Sequence, residues 1–334
     1  WNESRADWAL RTGGGLWGML RLVWRYGFDL LRVSRHANEV KVALQGMYQQ
    51  QREVPDQPYC RSVEEMIRKS GLQPWAGRAF SELGYAPRFV AECLDPIART
   101  IYSRGAAAVN GYCGLAAVIA ADGGGLYSCP AGNDTIVRRL LELSCAELIL
   151  QHPVTSIRHV DGAWEVAGNN SKEMFDAVVL AAPWEAGGIN LGSVEVPRRS
   201  YRQMVVTLVA GSPVLGSGPV PQTVLTAGAG PYEGCFYSMG VVATMADGQD
   251  LWKLFSASTL TEAHLALLFH PGFKLVLTRP WTHCFPDLMP QERYPPMRIS
   301  RGFYFANAME ALAPSMEAAA WCGKNVALMV AEEL

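Results

Sequence analysis

The chain has no excess of charge of either sign. Its 29 lysines and arginines stand against 31 acidic residues, a formal charge of −2. Nucleic-acid binders carry a basic excess, so that class of partner is not expected. Charged residues are sparse at 18%, whereas 49% of the 334 residues are apolar. Such a composition excludes a disordered chain and allows a large core, and the length suggests about two domains. No apolar run reaches the roughly 18 residues of a membrane-spanning helix. The longest uncharged stretch lies between Arg104 and Asp122. It contains Gly105, Asn110, Gly111 and Gly114 and reads as a buried helix of small residues.

Ready-made catalytic and metal motifs are equally scarce. The eight cysteines are scattered, without a C-x-x-C pair or histidines at ligand spacing, which argues against a zinc site. They are also too few for a disulfide scaffold and read as core thiols. Neither a G-x-S-x-G elbow nor H-E-x-x-H occurs. His283 and Cys284 are adjacent, but neighbours on a strand point to opposite faces, so they do not form a dyad. His36, His152, His159, His264 and His270 show no spacing pattern and read as structural or exposed. Trp1 opens the chain without the charged and apolar regions of a signal peptide, and the sequence is expected to be the inside of a longer protein. Three N-x-[ST] sequons, at Asn2, Asn133 and Asn169, point mildly to a secretory route.

Gly13-Gly14-Gly15-Leu16-Trp17-Gly18 matches G-x-G-x-x-G, and Glu39 follows about twenty residues on. A dinucleotide fingerprint needs an apolar strand directly before its first glycine. Here that segment is the short, polar Asp7-Trp8-Ala9-Leu10-Arg11-Thr12, and the residues before Glu39 read as helix. The glycines therefore read as a loop.

Periodicity predicts an amphipathic helix over 16–33, with Leu16, Leu20, Val23, Trp24, Gly27 and Leu31 on one stripe. Arg21, Arg25 and Arg32 lie off it, suited to solvent or to a membrane surface. Ser62 to Glu65 forms a capping box, and Gly71 closes that helix. Pro87 opens a helix towards Tyr102, an Ala/Gly-rich helix fills 105–121, and Gly123-Gly124-Gly125 is a turn. Asn133 or Asp134 caps a helix to about Cys145. Strands are expected at 148–150, at 154–160 and 164–167 around the Asp161-Gly162 turn, and at 175–182. More follow at 204–209, near Val224 and Phe236, and at 251–256, 273–282 and 303–306. A helix after Thr261 and a final Ala-rich helix from about Ser315 complete the pattern.

Two segments carry chemical information. Leu126 to Asn133 precedes a helix, and Phe303 to Glu310 leads through Pro314 and Ser315 into the last helix. Small residues at such junctions let a cofactor approach the backbone, and a helix N-terminus offers free N–H groups. The same composition also serves an ordinary capped and packed helix.

In this order, the segments resemble the prenylcysteine oxidase family, whose members use FAD to oxidise the thioether of prenylated cysteine. The resemblance spans roughly residues 16 to 331. It rests on Leu22 to Phe28, on Asn110 to Asn133 with its Gly132-Asn133 turn, on Trp281 to Pro286, and on Ala306 to Asn325 with Met316-Glu317. It implies a mixed α/β, flavin amine-oxidase-like two-domain FAD fold, N-terminally truncated, because the family's dinucleotide-binding βαβ segment should precede residue 1. Residues 1–125 would be a mainly helical segment of the substrate domain and 126–190 part of the FAD-binding domain. Residues 191–300 would be the substrate domain's mixed sheet, and 301–334 the last strand and helix of the FAD-binding domain.

The resemblance further implies that Gly132, Asn133, Val154, Pro183, Asn307, Ser315, Met316 and Glu317 contact FAD, with Asn133 buried. Phe236, Trp281 and Phe285, with Tyr237 and Trp252, are candidates for an apolar prenyl pocket. The implied reaction removes a hydride from the carbon beside sulfur and yields a prenyl aldehyde, cysteine and hydrogen peroxide. No catalytic base emerges from the sequence. The implied partner is a small prenylcysteine substrate, without nucleic acid or a transmembrane segment and with peripheral membrane contact possible. The implied location is lysosomal or secreted. The rival readings are a catalytically silent relative or fragment binding an isoprenoid or lipid, and a flavin oxidase of another substrate.

Overall fold

The computed structural model describes residues 16–121, 129–169, 171–196, 198–214, 223–226 and 235–334. The glycine motif from Gly13 to Gly15 and the Gly123–Gly125 turn lie outside the described residues. The chain opens on a helical layer. Helix α1 (Leu16–Tyr26) and helix α2 (Asp29–Glu53) replace the single helix expected over 16–33. Gly27 takes φ +61°, the left-handed conformation that ends α1. The buried Asp29 then starts α2, accepting from Arg32 Nη1 at 2.9 Å and from the Ala86 N–H at 2.6 Å. The expected stripe is also turned round. Leu20, Trp24 and Leu31 are exposed, while Tyr26, Val33 and Ala37 face the core.

Helix α3 (Val63–Lys69) begins at Ser62, whose hydroxyl accepts from the Glu65 N–H at 3.1 Å, and Gly71 follows it at φ +68°. The run from Pro87 is helical throughout but contains one wide turn, Val90–Leu94, before helix α4 (Asp95–Tyr102). Helix α5 (Gly111–Ala121) is the buried small-residue helix, shorter than expected because 106–108 form a separate tight turn. A Cβ at Gly114 would lie 2.2 Å from the Phe80 ring, so only glycine permits this approach.

The start of α5 is fixed by Asn110, which is fully buried. Its Oδ1 accepts from the Cys113 N–H at 2.9 Å, and its Nδ2 donates to the carbonyls of Leu288 and Leu312 at 3.0 and 2.9 Å. One amide thus caps a helix and ties it to two distant segments. Helix α6 (Asp134–Ser144) differs: none of its residues is buried. Leu148, Ile149 and Leu150, expected as a strand, are exposed and non-regular. A strand needs a hydrogen-bonded neighbour, and among the described residues this segment has none.

Strands β1 (Val154–Val160), β2 (Ala163–Gly168) and β3 (Ser171–Phe175) form an antiparallel meander. Asp161 and Gly162 make its first turn with φ values of 49° and 88°, as a two-residue hairpin requires. The continuous strand expected over 175–182 is split, and its second half is strand β4 (Val178–Leu180). The large antiparallel sheet comprises strands β5 (Tyr201–Ala210), β6 (Thr223–Leu225), β7 (Ser238–Thr244), β8 (Asp250–Ser256) and β9 (Lys274–Pro286), ordered β6-β7-β8-β5-β9. Helix α7 (Glu262–Leu268) is capped by Thr261.

Strand β10 (Arg298–Ser300) turns back antiparallel to strand β11 (Phe303–Phe305), whose other side pairs in parallel with β4. Helix α8 (Met316–Glu333) starts where the Ser315 hydroxyl accepts from the Ala318 N–H at 3.0 Å. One large core joins the helical layer, β11 and α8. A smaller one, with Trp252, Leu254 and Phe269, lies against the large sheet. Among the described residues, no helix is long and apolar enough to cross a membrane, and no cluster of His, Cys, Asp or Glu could hold a metal.

The Asn110 junction makes a direct prediction. Asn110→Ala removes a cap and the side-chain donor of the Leu312 carbonyl, while the Leu288 carbonyl keeps the Asn110 backbone N–H at 2.7 Å, so it should destabilise the protein by about 2 kcal/mol in urea denaturation.

Candidate functional site

In open sheets containing parallel strands, ligands are bound beyond the carboxyl ends of those strands. Beyond β4 the chain runs through Ala182 and Pro183 into a helical turn, Trp184–Gly187. Beyond β11 it runs through Ala306 and Asn307 into a tight turn, Ala308–Ala311. Arg199, just before β5, sits between the two. Its guanidinium forks onto Glu185, with Nε 2.9 Å from Oε1 and Nη2 3.2 Å from Oε2. Nη1 donates to Glu310 Oε2 at 3.1 Å and to the Asn307 carbonyl at 3.2 Å. The Arg199 N–H also donates to Glu185 Oε1 at 3.1 Å. The guanidinium carbon lies 4.7 Å from the centre of the Phe305 ring and 5.1 Å from that of Tyr201.

This is a desolvated ion network. The side chains of Arg199 and Glu185 are only 6% and 7% exposed. Burial pushes the Glu185 carboxyl up, but the Arg199 fork outweighs it and holds the group below its ordinary value. Burial likewise lowers Arg199, and the carboxylates reverse that shift. The bidentate geometry fixes the orientation of both partners. Glu310 extends the order to Asn307, whose Nδ2 donates to Glu310 Oε1 at 2.6 Å.

Three buried polar atoms around this network have no hydrogen-bond partner: Asn307 Oδ1, Trp184 Nε1 and Tyr201 Oη. Buried polar groups are normally paired, so these three atoms, without a partner among the described residues, are open to pairing with water or a ligand. An acceptor and an indole N–H at the ends of two parallel strands suit the polar edge of a heteroaromatic ring. Trp184 and Glu185 also border a groove of about 750 Å³, lined further by Ile189, Leu191, Val194 and Arg198. That volume falls in the range of small-molecule sites. On the opposite side, the Tyr201 ring lies 5.2 Å from that of His283 on β9.

The other residues singled out from sequence are distributed as follows. Gly132 and Asn133 occupy the turn before α6. Asn133 is exposed, not buried, and its Oδ1 accepts from the Cys129 N–H at 3.1 Å. Val154 begins β1 opposite Gly168. Ser315, Met316 and Glu317 are exposed at the start of α8, where the Tyr48 hydroxyl donates to Glu317. Ser315 and Glu317 border a small cavity of about 30 Å³ with Tyr112, Met309, Leu312 and Trp321. Phe236, with Trp252, belongs to the smaller core. Trp281 is exposed on β9, and Phe285 packs edge-on against Tyr102 at 5.8 Å. Cys284, beside His283, has its thiol pushed up to about 11 by burial, which suits neither a nucleophile nor a dyad.

Arg199, Glu185, Glu310 and Tyr201 were not candidates from sequence. Glu185 and Glu310 lie 14 and 111 residues from Arg199 along the chain, and the four form no spacing motif. The only local signal is the position of Glu185 and Glu310 two and three residues after the candidates Pro183 and Asn307.

The fold is shared with solved oxidases. A protein assigned as a protoporphyrinogen oxidase from Exiguobacterium sp. 255-15 superposes with a TM-score of 0.57 at 13% identity, covering 76% of this chain and 67% of its own. A redesigned putrescine oxidase superposes at 0.54 with 14% identity, covering 92% of this chain and 75% of its own. The architecture is therefore the flavin amine-oxidase-like fold. The model of the prenylcysteine lyase family matches residues 11–334, and the chain belongs to that family. Prenylcysteine oxidase 1 of Homo sapiens is 24% identical over 352 residues, covering 93% of this chain and 68% of that protein. Farnesylcysteine lyase of Arabidopsis thaliana is 26% identical over 326 residues, covering 93% and 63% respectively.

The ion network predicts both stability and its pH dependence. Arg199→Met strands two carboxylates and should cost about 3–5 kcal/mol in denaturant titration. Because the Glu185 carboxyl is held low, its contribution is complete above the ordinary carboxylate value and is lost as pH falls through the folded value. The wild type should therefore lose stability as pH falls below the ordinary carboxylate range, and Arg199→Met should show a flatter acid limb.

Proposed function

We propose that the protein is an FAD-dependent oxidoreductase that cleaves the thioether of a prenylcysteine such as farnesyl- or geranylgeranylcysteine. The observation that carries this reading is the extent of the family likeness. It runs through the helical layer, the large sheet and both strand ends, not through one nucleotide-binding motif. When bound, FAD supplies a two-electron acceptor for the hydride beside sulfur, so that thioether, water and dioxygen yield prenyl aldehyde, cysteine and hydrogen peroxide.

The chain's own residues orient and shield. Asn307 offers a buried acceptor, and Trp184 a buried donor, to the polar edge of the flavin ring. Arg199 and Glu310 hold the Asn307 backbone and amide in place. Pro183 ends the strand approach on one side, and Ser315, Met316 and Glu317 present the α8 N-terminus on the other. These groups fit the ring portion of the cofactor. A glycine-rich cradle for its diphosphate is not found among the described residues.

Trp281, exposed on β9 opposite Met204 of β5, gives an aromatic surface against which an isoprenoid can lie, while Trp252 is fully buried in the smaller core. A proton-transferring side chain is not required, because a water molecule held near the carbon beside sulfur can complete the cleavage. A substrate of this class partitions into lipid, and the protein would meet it at a bilayer surface. The exposed Asn133 sequon is compatible with a lysosomal or secreted glycoprotein.

The test is spectroscopic. The purified chain is mixed with FAD, gel-filtered and scanned, then assayed with farnesylcysteine for farnesal, cysteine and peroxide. Retained flavin with all three products is the expected result. Retained flavin with no turnover would favour the silent isoprenoid-binding relative, and loss of the flavin band would overturn cofactor binding by this chain. Asn307→Ala should weaken flavin retention about tenfold while leaving most of the thermal stability intact.

A further inference from the structure

We propose that the elbow between α1 and α2 is a docking surface for an anionic lipid bilayer. Within twelve residues it presents Leu20, Trp24, Phe28 and Leu31 at 52%, 86%, 71% and 64% exposure. Isolated exposed apolar residues are ordinary, but a group of four including two aromatics is a patch. Leu20 and Trp24 are four apart on α1 and share a face. Phe28 lies at the corner formed by Gly27, and Leu31 in the first turn of α2.

The outward direction is set from within. Arg25 forks onto Glu92, with Nε 2.7 Å from Oε2 and Nη2 2.6 Å from Oε1, and the Tyr26 hydroxyl donates to the same carboxylate at 3.0 Å. Tyr26 also packs edge-on against Phe89 at 5.5 Å. With Arg25 and Tyr26 turned inward and bonded, the face bearing Leu20 and Trp24 must point to solvent. The local sequence alone would place the longest apolar stripe inside, so the buried ion pair is what turns the helix over.

Charge complementarity selects the occupant. Residues 20–35 carry Arg21, Arg25, Arg32 and Arg35 against Asp29, a formal +3 in a chain of −2 overall. Including the exposed Arg88 and the carboxylates of Glu39 and Glu92 still leaves +2. Arg35, one turn beyond Leu31 on α2, is exposed at the surface, where its Nε donates to Glu39 Oε1 at 2.9 Å. Aromatic and leucine tips flanked by arginines are the combination that enters the headgroup region of an anionic bilayer. The proposal does not depend on flavin binding or turnover.

The experiment is co-sedimentation of the whole chain with vesicles of phosphatidylcholine alone or with about 30% phosphatidylserine. Binding should be about tenfold stronger to the anionic vesicles and should fall as salt screens the arginines. Trp24→Ala/Phe28→Ala should reduce it at least about tenfold, and its far-ultraviolet spectrum and melting temperature should be unchanged because both side chains are exposed. Arg35→Glu should weaken binding to anionic vesicles only. Failure of the wild type to bind, or equal binding by the double variant, overturns the proposal. So does concentration-dependent self-association in gel filtration that the double variant abolishes, which would make the elbow a contact between copies of the chain.

Discussion

The arrangement around the candidate site depends on one buried guanidinium. Arg199 bonds two carboxylates and a backbone carbonyl that arrive from two separate parts of the chain, the turns after β4 and after β11. Its faces are closed by Phe305 from the parallel pair and Tyr201 from the large sheet. The two sheets share no strand, so this group is a main polar tie between them. Apolar residues of similar volume can give comparable stability, but without direction. A planar fork with five donors fixes angles as well as distances. That is the property a site needs when it must present Asn307 and Tyr201 at a defined separation.

Much of the fold was legible because its signals are local. Ser62, Thr261 and Ser315 each cap the helix expected after them, and Asp161-Gly162 makes the expected hairpin. The failures are places where a distant partner decides. Gly27 breaks a helix that periodicity treats as continuous, and Glu92 turns α1 over by pairing with Arg25. Leu148 to Leu150 have strand composition but no ladder among the described residues. The strand expected over 175–182 divides because β3 pairs with β2, while β4 pairs with β11.

The site was legible to a different degree. Resemblance supplied Pro183 and Asn307 as candidates, and in the structure Arg199 bonds Glu185, two residues after the first, and the carbonyl of the second. Arg199 could not be found by spacing, since its partners are contributed through tertiary structure. Phe236 and Trp281 have the same aromatic character in sequence, yet one is packed in the smaller core and the other stands exposed on β9. Sequence reports that an aromatic residue is present. Only the sheet order and pairing report which side of the sheet it serves.

The polar atoms left without partners explain why the network is ionic. Asn307 Oδ1, Trp184 Nε1 and Tyr201 Oη each carry a desolvation cost that an apolar junction would avoid. Such costs persist where surrounding structure over-determines the geometry. Arg199 supplies that determination: it fixes Glu185 beside Trp184, Glu310 beside Asn307, and the Tyr201 ring beneath its own plane. The residues carrying these three groups are therefore tied to one rigid centre, directly or through Glu185 and Glu310. Preorganisation of this kind lowers the ordering cost of binding. A centre of this kind can act on neighbouring groups that it does not itself cover.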